Sequence, residues 1–264
     1  MIASCVSEWD LTLLPAFESG GDASWTAPVK RSNGQLAVLQ ITVPMPVVHD
    51  HVTALQAWAG RGAVRLFAHD ATIRATLMEL CVPGTDAGDM SPADADDVAA
   101  EVLPQLWAAD LLHSDGMETL ANNAAGRARL MEQRAKQFGD VVDPGPFLQA
   151  AQLFNALSGS GRLVLLHGDF HRRNVLLSER GWLAIDPSSM VGDASFDVAR
   201  FLMNDMHEGA ATSRVDTLAD RVGLDRPRTR AWLFALATQA GSWCLSVGDQ
   251  TMHDAYVRTA ATLL

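Results

Sequence analysis

No run of about 18 apolar residues occurs in this 264-residue chain, so no membrane-crossing helix is expected. Cysteine is scarce. The three (Cys5, Cys81, Cys244) are odd in number and far apart, which excludes a disulfide framework and a cysteine metal site and suits a reducing cytoplasm. Lysine is scarcer still, with only Lys30 and Lys136. The first residues, MIASCVSEWDLTLL, lack a basic segment followed by an apolar core, so no signal peptide is expected. Repeats and low-complexity segments are absent. The formal net charge is −11, which argues against a nucleic-acid partner. It permits steering of a cationic ligand, although acidic charge also serves solubility alone.

What is present is a globular composition, 48% hydrophobic, with two regimes of patterning. The first 80 residues read as short strands: Leu11 to Ser19, Trp25 to Arg31 and, after the hairpin signal Asn33-Gly34, Leu36 to Val43. A turn is expected at Ser19 to Asp22. A helix over Val47 to Ala59 follows Pro44 and Pro46, and then two strands, Arg65 to His69 and Ile73 to Leu80. Pro83 and Gly84 punctuate a connection after Glu79. The rest is mainly helical. Ser91 with Pro92 and early acids marks a strong helix start, and further helices are expected at 117–138, 146–158, 195–207, 213–222, 227–247 and 252–264.

The chemistry concentrates in VLLHGDFHRRNVLLSERGWLAIDPSSMVGDASFD, residues 164–197. Asp169, Asn174 and Asp186 sit there at the mouths of short apolar strands, Asn174 just ahead of Val175-Leu176-Leu177. Phosphoryl transfer from a nucleotide needs that set: a carboxylate to orient the acceptor hydroxyl, and an amide oxygen with a second carboxylate to hold Mg²⁺. The spacing Asp169-x4-Asn174 is that of a protein-kinase catalytic loop, with Asp186 in the place of the metal-binding Asp. A zinc reading of His167 and His171 fails, since Gly168 stands where the general-base Glu of H-E-x-x-H would be. Arg172 or Arg173 offers charge to a γ-phosphate, or is a solvated surface group.

Those residues, followed by GDASFDVARFL, resemble the aminoglycoside phosphotransferase family, in its branch of streptomycin 6-phosphotransferases and hydroxyurea phosphotransferases. The likeness is dense from Leu163 to Asn204 and thin in the last 60 residues. It implies an α+β, two-lobed, kinase-like fold: an antiparallel nucleotide-binding lobe to residue 80, a hinge at 81–84, and a helical lobe from 85 to 264. It implies ATP or GTP as co-substrate with Mg²⁺, and a small acceptor, cationic if an aminoglycoside and neutral if hydroxyurea or another metabolite. Asp169 would be the base, and Asn174 and Asp186 the metal ligands. His167 and Asp197 would brace the loop, and Asp193 is expected to be structural. Backbone groups from Glu79 to Val82 would meet the nucleotide base. The family's phosphate-binding Lys and its Glu partner are replaced by Gln40 and His51, so Lys30 or Arg31 would have to reach the nucleotide instead. That replacement also favours a competing class, a kinase-like binding protein without turnover. Asp205, Glu208, Asp249 and Asp254 are the candidate acids for a cationic acceptor.

Overall fold

The computed structural model describes residues 1–17, 24–42, 51–111, 116–205 and 211–264. Strands β1 (Leu11–Leu13), β2 (Ser24–Arg31), β3 (Leu36–Thr42), β4 (Leu66–Asp70) and β5 (Ala75–Glu79) form one antiparallel sheet in the order β1-β2-β3-β5-β4. The β2–β3 hairpin closes at Asn33-Gly34, where Gly34 has φ of +86° and Asn33 Oδ1 accepts the Gln35 N–H at 3.0 Å. Period-two alternation buries Ala37, Leu39 and Ile41 on one face, with Val29, Ala75 and Leu77, against Cys5. Cys5 sits on α1 (Ile2–Glu8), an element the sequence patterning did not suggest. Val38 and Gln40 point to the opposite face.

Helix α2 (His51–Trp58) follows; the expected start at Val47, with Pro44 and Pro46, lies outside the described residues, as does the Ser19–Asp22 turn. Its buried side Ala54, Leu55 and Trp58 joins the core of the larger lobe rather than that of the sheet. In the larger lobe, α3 (Pro92–Trp107) starts at Ser91, whose Oγ accepts the Asp94 N–H at 3.2 Å. Helices α4 (Leu120–Phe138), α5 (Gly145–Leu157), α6 (Ser195–Met203), α7 (Ala211–Arg221), α8 (Arg226–Ser246) and α9 (Gln250–Ala260) complete it. Residues Ala231 to Ala237 of α8 are all buried, as a helix packed on every side requires. Two short antiparallel pairs add their buried residues to the core of the larger lobe: β6 (Leu163–Leu166) with β9 (Met190–Asp193), and β7 (Val175–Ser178) with β8 (Gly181–Ala184). The expected two-lobed α+β architecture is present. No helix among the described residues is long and apolar enough to cross a membrane.

Candidate active site

Strand β6 is buried beyond Leu163 and delivers His167, Gly168 and Asp169 to its mouth. Gly168 has φ of +78°, and a Cβ there would stand 2.1 Å from the Ser188 carbonyl oxygen, so only glycine lets the loop cross the 186–190 segment. The turn is held from beneath by Asp197. Its Oδ1 accepts the Gly168 N–H at 2.9 Å, and its Oδ2 accepts the His167 N–H at 3.0 Å and the Trp107 Nε1–H at 3.1 Å. Burial raises the Asp197 carboxyl to about 6 against the pull of those donors. His167 donates from Nε2 to the Ile185 carbonyl (2.9 Å) and accepts the Asp169 N–H at Nδ1 (3.3 Å), which fixes the neutral tautomer. Its ring stacks on Trp58 with centroids 6.1 Å apart, and burial lowers its pKa to about 4.

The Asp169 carboxylate remains one-third exposed. Arg200 Nη2 donates to its Oδ1 at 2.5 Å, while His171 Nε2 stands 3.6 Å from Oδ2. Burial pushes this carboxyl up, but the His171 and Arg200 interactions outweigh it and hold the group below the ordinary carboxylate range. Asp169 is therefore ionised near neutral pH, with Oδ1 anchored and Oδ2 the freer oxygen. Arg200 was not singled out in the sequence. Its one signal is a position three residues after Asp197 on α6, which turns it toward the same loop.

Asn174 ends a single 3₁₀ turn (Arg172–Asn174) and is buried. Its Nδ2 donates to the Asp169 carbonyl at 3.1 Å, which leaves Oδ1 directed elsewhere. Its own carbonyl accepts the Ile185 N–H at 2.9 Å, so the Asn174 and Asp186 segments are stitched together. Asp186 is exposed, makes no hydrogen bond or ion pair with a described residue, and has φ of +53° ahead of Pro187. A non-glycine residue there is strained, and such strain gathers at functional positions. An amide oxygen and an unpartnered carboxylate fit a hard cation that draws its other ligands from phosphate and water. Among the described residues no group of three or more His, Cys, Asp or Glu side chains is placed to hold a metal.

In the small lobe Gln40 lies on the face away from the sheet's core, opposite Thr26 and Thr76, and donates from Nε2 to Ser24 Oγ at 3.3 Å. Lys30 is exposed on β2, four positions beyond Thr26 and so about 13 Å along the strand. Arg31 lies over the Phe67 ring at 4.6 Å and donates to Gln35 at 2.6 Å. Neither cation replaces the missing lysine at position 40 in this conformation. The Glu79 carboxylate is engaged by Arg180 (Nε 2.8 Å, Nη2 2.5 Å) and by the Arg65 N–H (3.0 Å), while Arg180 also donates to the Gly60 carbonyl at 2.9 Å. Burial raises the Glu79 carboxyl, and the Arg180 pairing more than reverses it. Glu79 thus ties the sheet to the β7–β8 turn, a role its position at the hinge did not signal. Val82 is 45% exposed beside it.

Asp205 does not stand open to a cation. It is buried, its Oδ2 is bound by Arg172, and Arg214 Nη2 lies 2.9 Å away. Arg172 also donates to the Met90 carbonyl at 3.1 Å, so it faces away from the phosphate position suggested for it; Arg173 is exposed. Glu208 lies outside the described residues. Asp249 caps α9 through the Met252 N–H (3.0 Å), and Asp254 accepts from Gln250 (2.8 Å). Asp193 is structural: its carboxylate takes Arg228 Nε at 2.5 Å and Trp232 Nε1 at 2.6 Å.

A two-lobed fold whose short strands present Asp169, Asn174 and Asp186 together defines a kinase-like phosphotransferase. Residues 13–248 match the family described as aminoglycoside/hydroxyurea antibiotic resistance kinase, and the chain belongs to that family. It is 31% identical over 268 residues to a hydroxyurea phosphotransferase of Kitasatospora aureofaciens, covering all of this chain and 78% of that one. It is 30% identical over 275 residues to a streptomycin 6-kinase of Streptomyces glaucescens, covering all of this chain and 88% of that one. Among solved structures, a ternary complex of a thermostable aminoglycoside phosphotransferase APH(4)-Ia mutant with ADP and hygromycin B matches with a TM-score of 0.60. That match is 17% identical and covers 98% of both chains, a likeness that shows the fold.

Proposed function

We propose that this chain transfers the γ-phosphoryl group of ATP or GTP to a hydroxyl of a small polar acceptor, in the cytoplasm, with Mg²⁺. The nucleotide lies between a small lobe (residues 1–80) and a large one (residues 85–264), against the hinge at 81–84. Asp169 orients the acceptor hydroxyl through Oδ2 and takes its proton as the O–P bond forms; Arg200 holds Oδ1 and so fixes the carboxylate plane. Asn174 and Asp186 would hold Mg²⁺, which neutralises charge on the phosphates. The observation that carries this reading is the joint arrangement of an anchored Asp169, an Asn174 amide tied back to the Asp169 carbonyl, and an unpartnered Asp186 carboxylate. The three free, buried cysteines suit a reducing compartment.

The named relatives act on streptomycin and hydroxyurea, so both belong in the first acceptor panel. A cationic acceptor was expected to rest on Asp205 and Glu208, and the engagement of Asp205 by two arginines removes half of that support. The test is nucleotide consumption with Mg²⁺ across streptomycin, hydroxyurea and small hydroxylated compounds. Asp169→Asn is expected to lower kcat by about 10²-fold or more with nucleotide affinity retained. Asp186→Ala is expected to abolish Mg²⁺-dependent nucleotide binding. Full turnover in Asp169→Asn removes the base assignment.

A further inference from the structure

Helix α6 meets the catalytic loop at three points, and the contacts advance in step along both. Near its start, Asp197 accepts the His167 and Gly168 N–H groups. Three residues on, Arg200 donates to the Asp169 carboxylate. Two residues past its end, Asp205 takes the guanidinium of Arg172, and the Asp205 N–H stays bonded to the Leu202 carbonyl of the helix at 3.1 Å. The first contact frames the His-Gly-Asp turn and the second frames the base. The third falls on the 3₁₀ turn Arg172–Asn174, which connects Asp169 to Asn174.

Arg172 is fastened on two sides. Its Nη1 donates to the Met90 carbonyl at 3.1 Å, just ahead of α3, and its Nη2 to Asp205 Oδ2. Its own carbonyl accepts the Ala87 N–H at 3.1 Å, so the segment after the hinge brackets the turn by backbone as well. Asp205 is shared. Arg214 of α7 stands 2.9 Å from the same oxygen and grips both oxygens of Asp96 on α3, at 2.7 and 3.0 Å. None of these four side chains is more than 15% exposed. Two arginines and two aspartates leave the group neutral, yet four charges taken out of water gain little over a packed apolar cluster of the same volume. Arg172 Nε is also buried without a hydrogen-bond partner among the described residues. Stability alone does not account for such an arrangement; the geometry it imposes on the turn does.

We propose that Arg172 is a positioning residue for the metal site: clamped to Asp205 and to Met90, it sets the orientation in which the Asn174 amide oxygen is offered to a cation. The inference rests on the phosphotransferase reading and adds to it a residue that touches neither metal nor substrate. The path is short. The Asn174 N–H closes the turn on the His171 carbonyl at 2.9 Å, and its Nδ2 is tied to the Asp169 carbonyl at 3.1 Å. With the backbone closed and one end of the amide tied, the direction of Oδ1 follows the turn. Arg172 lies two residues before Asn174 and carries the turn's link to the helices.

The test is calorimetric binding of a non-hydrolysable ATP analogue to the full chain with and without Mg²⁺, read as the ratio of the two affinities. Arg172→Met removes both side-chain bonds and leaves Asp205 paired with Arg214, so no buried charge is orphaned. It should lower the Mg²⁺ enhancement about tenfold, as when a group supporting a metal ligand is lost, with Mg²⁺-free affinity within about twofold of the parent. Arg172→Lys keeps a charged donor for Asp205 and should recover most of the enhancement. Asp205→Asn attacks the clamp from the other side at nearly the same volume and should lower the ratio too, so the proposal can be refuted even where Arg172→Met fails to fold. An unchanged ratio in the folded variants, or equal losses with and without Mg²⁺, overturns it. Asp186→Ala in the same assay tests the phosphotransferase reading by itself. If the parent shows no Mg²⁺ enhancement, or Asp186→Ala keeps it, that reading fails and the clamp with it. If Asp186→Ala loses the enhancement while the Arg172 and Asp205 variants keep it, the clamp alone fails.

Discussion

His167 and Asp197 make opposite demands on pH, and their partial offset can be unmasked. Both are fully buried and adjoin the same turn. His167 has its pKa depressed to about 4, from about 6.5 in an unfolded chain. As pH falls through that window the unfolded state binds the proton first, so stability is lost. Asp197 has its pKa raised to about 6 from an unfolded value near 3.9, so over its window the folded state binds the proton first and stability is gained as pH falls. Integrating each shift from pH 7 to pH 5 gives a loss of about 2 kcal/mol from His167 and a gain of about 1 kcal/mol from Asp197. The parent protein should therefore show only a shallow contribution from this pair. His167→Gln keeps a donor toward the Ile185 carbonyl and removes the titration; after subtraction of a constant offset its stability change between pH 7 and 5 should lie above the parent's by about 2 kcal/mol, the full His167 loss. Asp197→Asn should show the reverse, a steeper acid loss by about 1 kcal/mol than the parent. The assay is urea unfolding at pH 5, 6 and 7 and fixed ionic strength, comparing slopes rather than absolute stabilities, so that other carboxylates cancel. Identical pH slopes in parent and both variants would refute the reasoning.

Two further outcomes concern the framework. Gly168→Ala should sharply lower both the thermal midpoint and activity, since its Cβ would meet the Ser188 carbonyl at 2.1 Å in a left-handed backbone; normal melting with normal kcat contradicts the crossing of the two loops. Arg180→Met should raise KM for nucleotide more than KM for acceptor, because it frees the sheet from the β7–β8 turn while the Asp169–Arg200 contact within the larger lobe is untouched; equal effects on both substrates, or none, contradict the tie through Glu79.

The fold, and the placing of Asp169, Asn174 and Asp186 at the mouths of short strands, were legible because their signals are local. The Asn33-Gly34 turn, the Ser91-Pro92 start and the apolar runs ending on Asp169 and Asp186 each act within a few residues, and Asp197 proved to bind the loop's backbone N–H groups as expected. What escaped notice depends on distant partners. Arg200 finds Asp169 across 31 residues and Arg127 finds Gln239 across 112, separations that no periodicity reports. Helix α1 was missed for a different reason: seven residues, no side-chain cap and a single buried residue leave little pattern to read. Asp205 was read as a candidate acid for a cationic acceptor, since nothing in its sequence neighbourhood forecasts Arg172 and Arg214 converging on it.

The β7–β8 hairpin carries Arg180 at its tip and the two segments of Asn174 and Asp186 at its open end. It is built as a short lever, with the small lobe gripping one end through Glu79 and the Asn174 and Asp186 segments riding on the other. Tilting the sheet by a few degrees must rotate those groups with it, because the Ile185–Asn174 bond leaves the open end no slack. The angle of the sheet and the orientation of the Asn174 and Asp186 segments are then one coordinate. Substitutions on the outer sheet, remote from any substrate, become a practical route to tuning turnover in this chain.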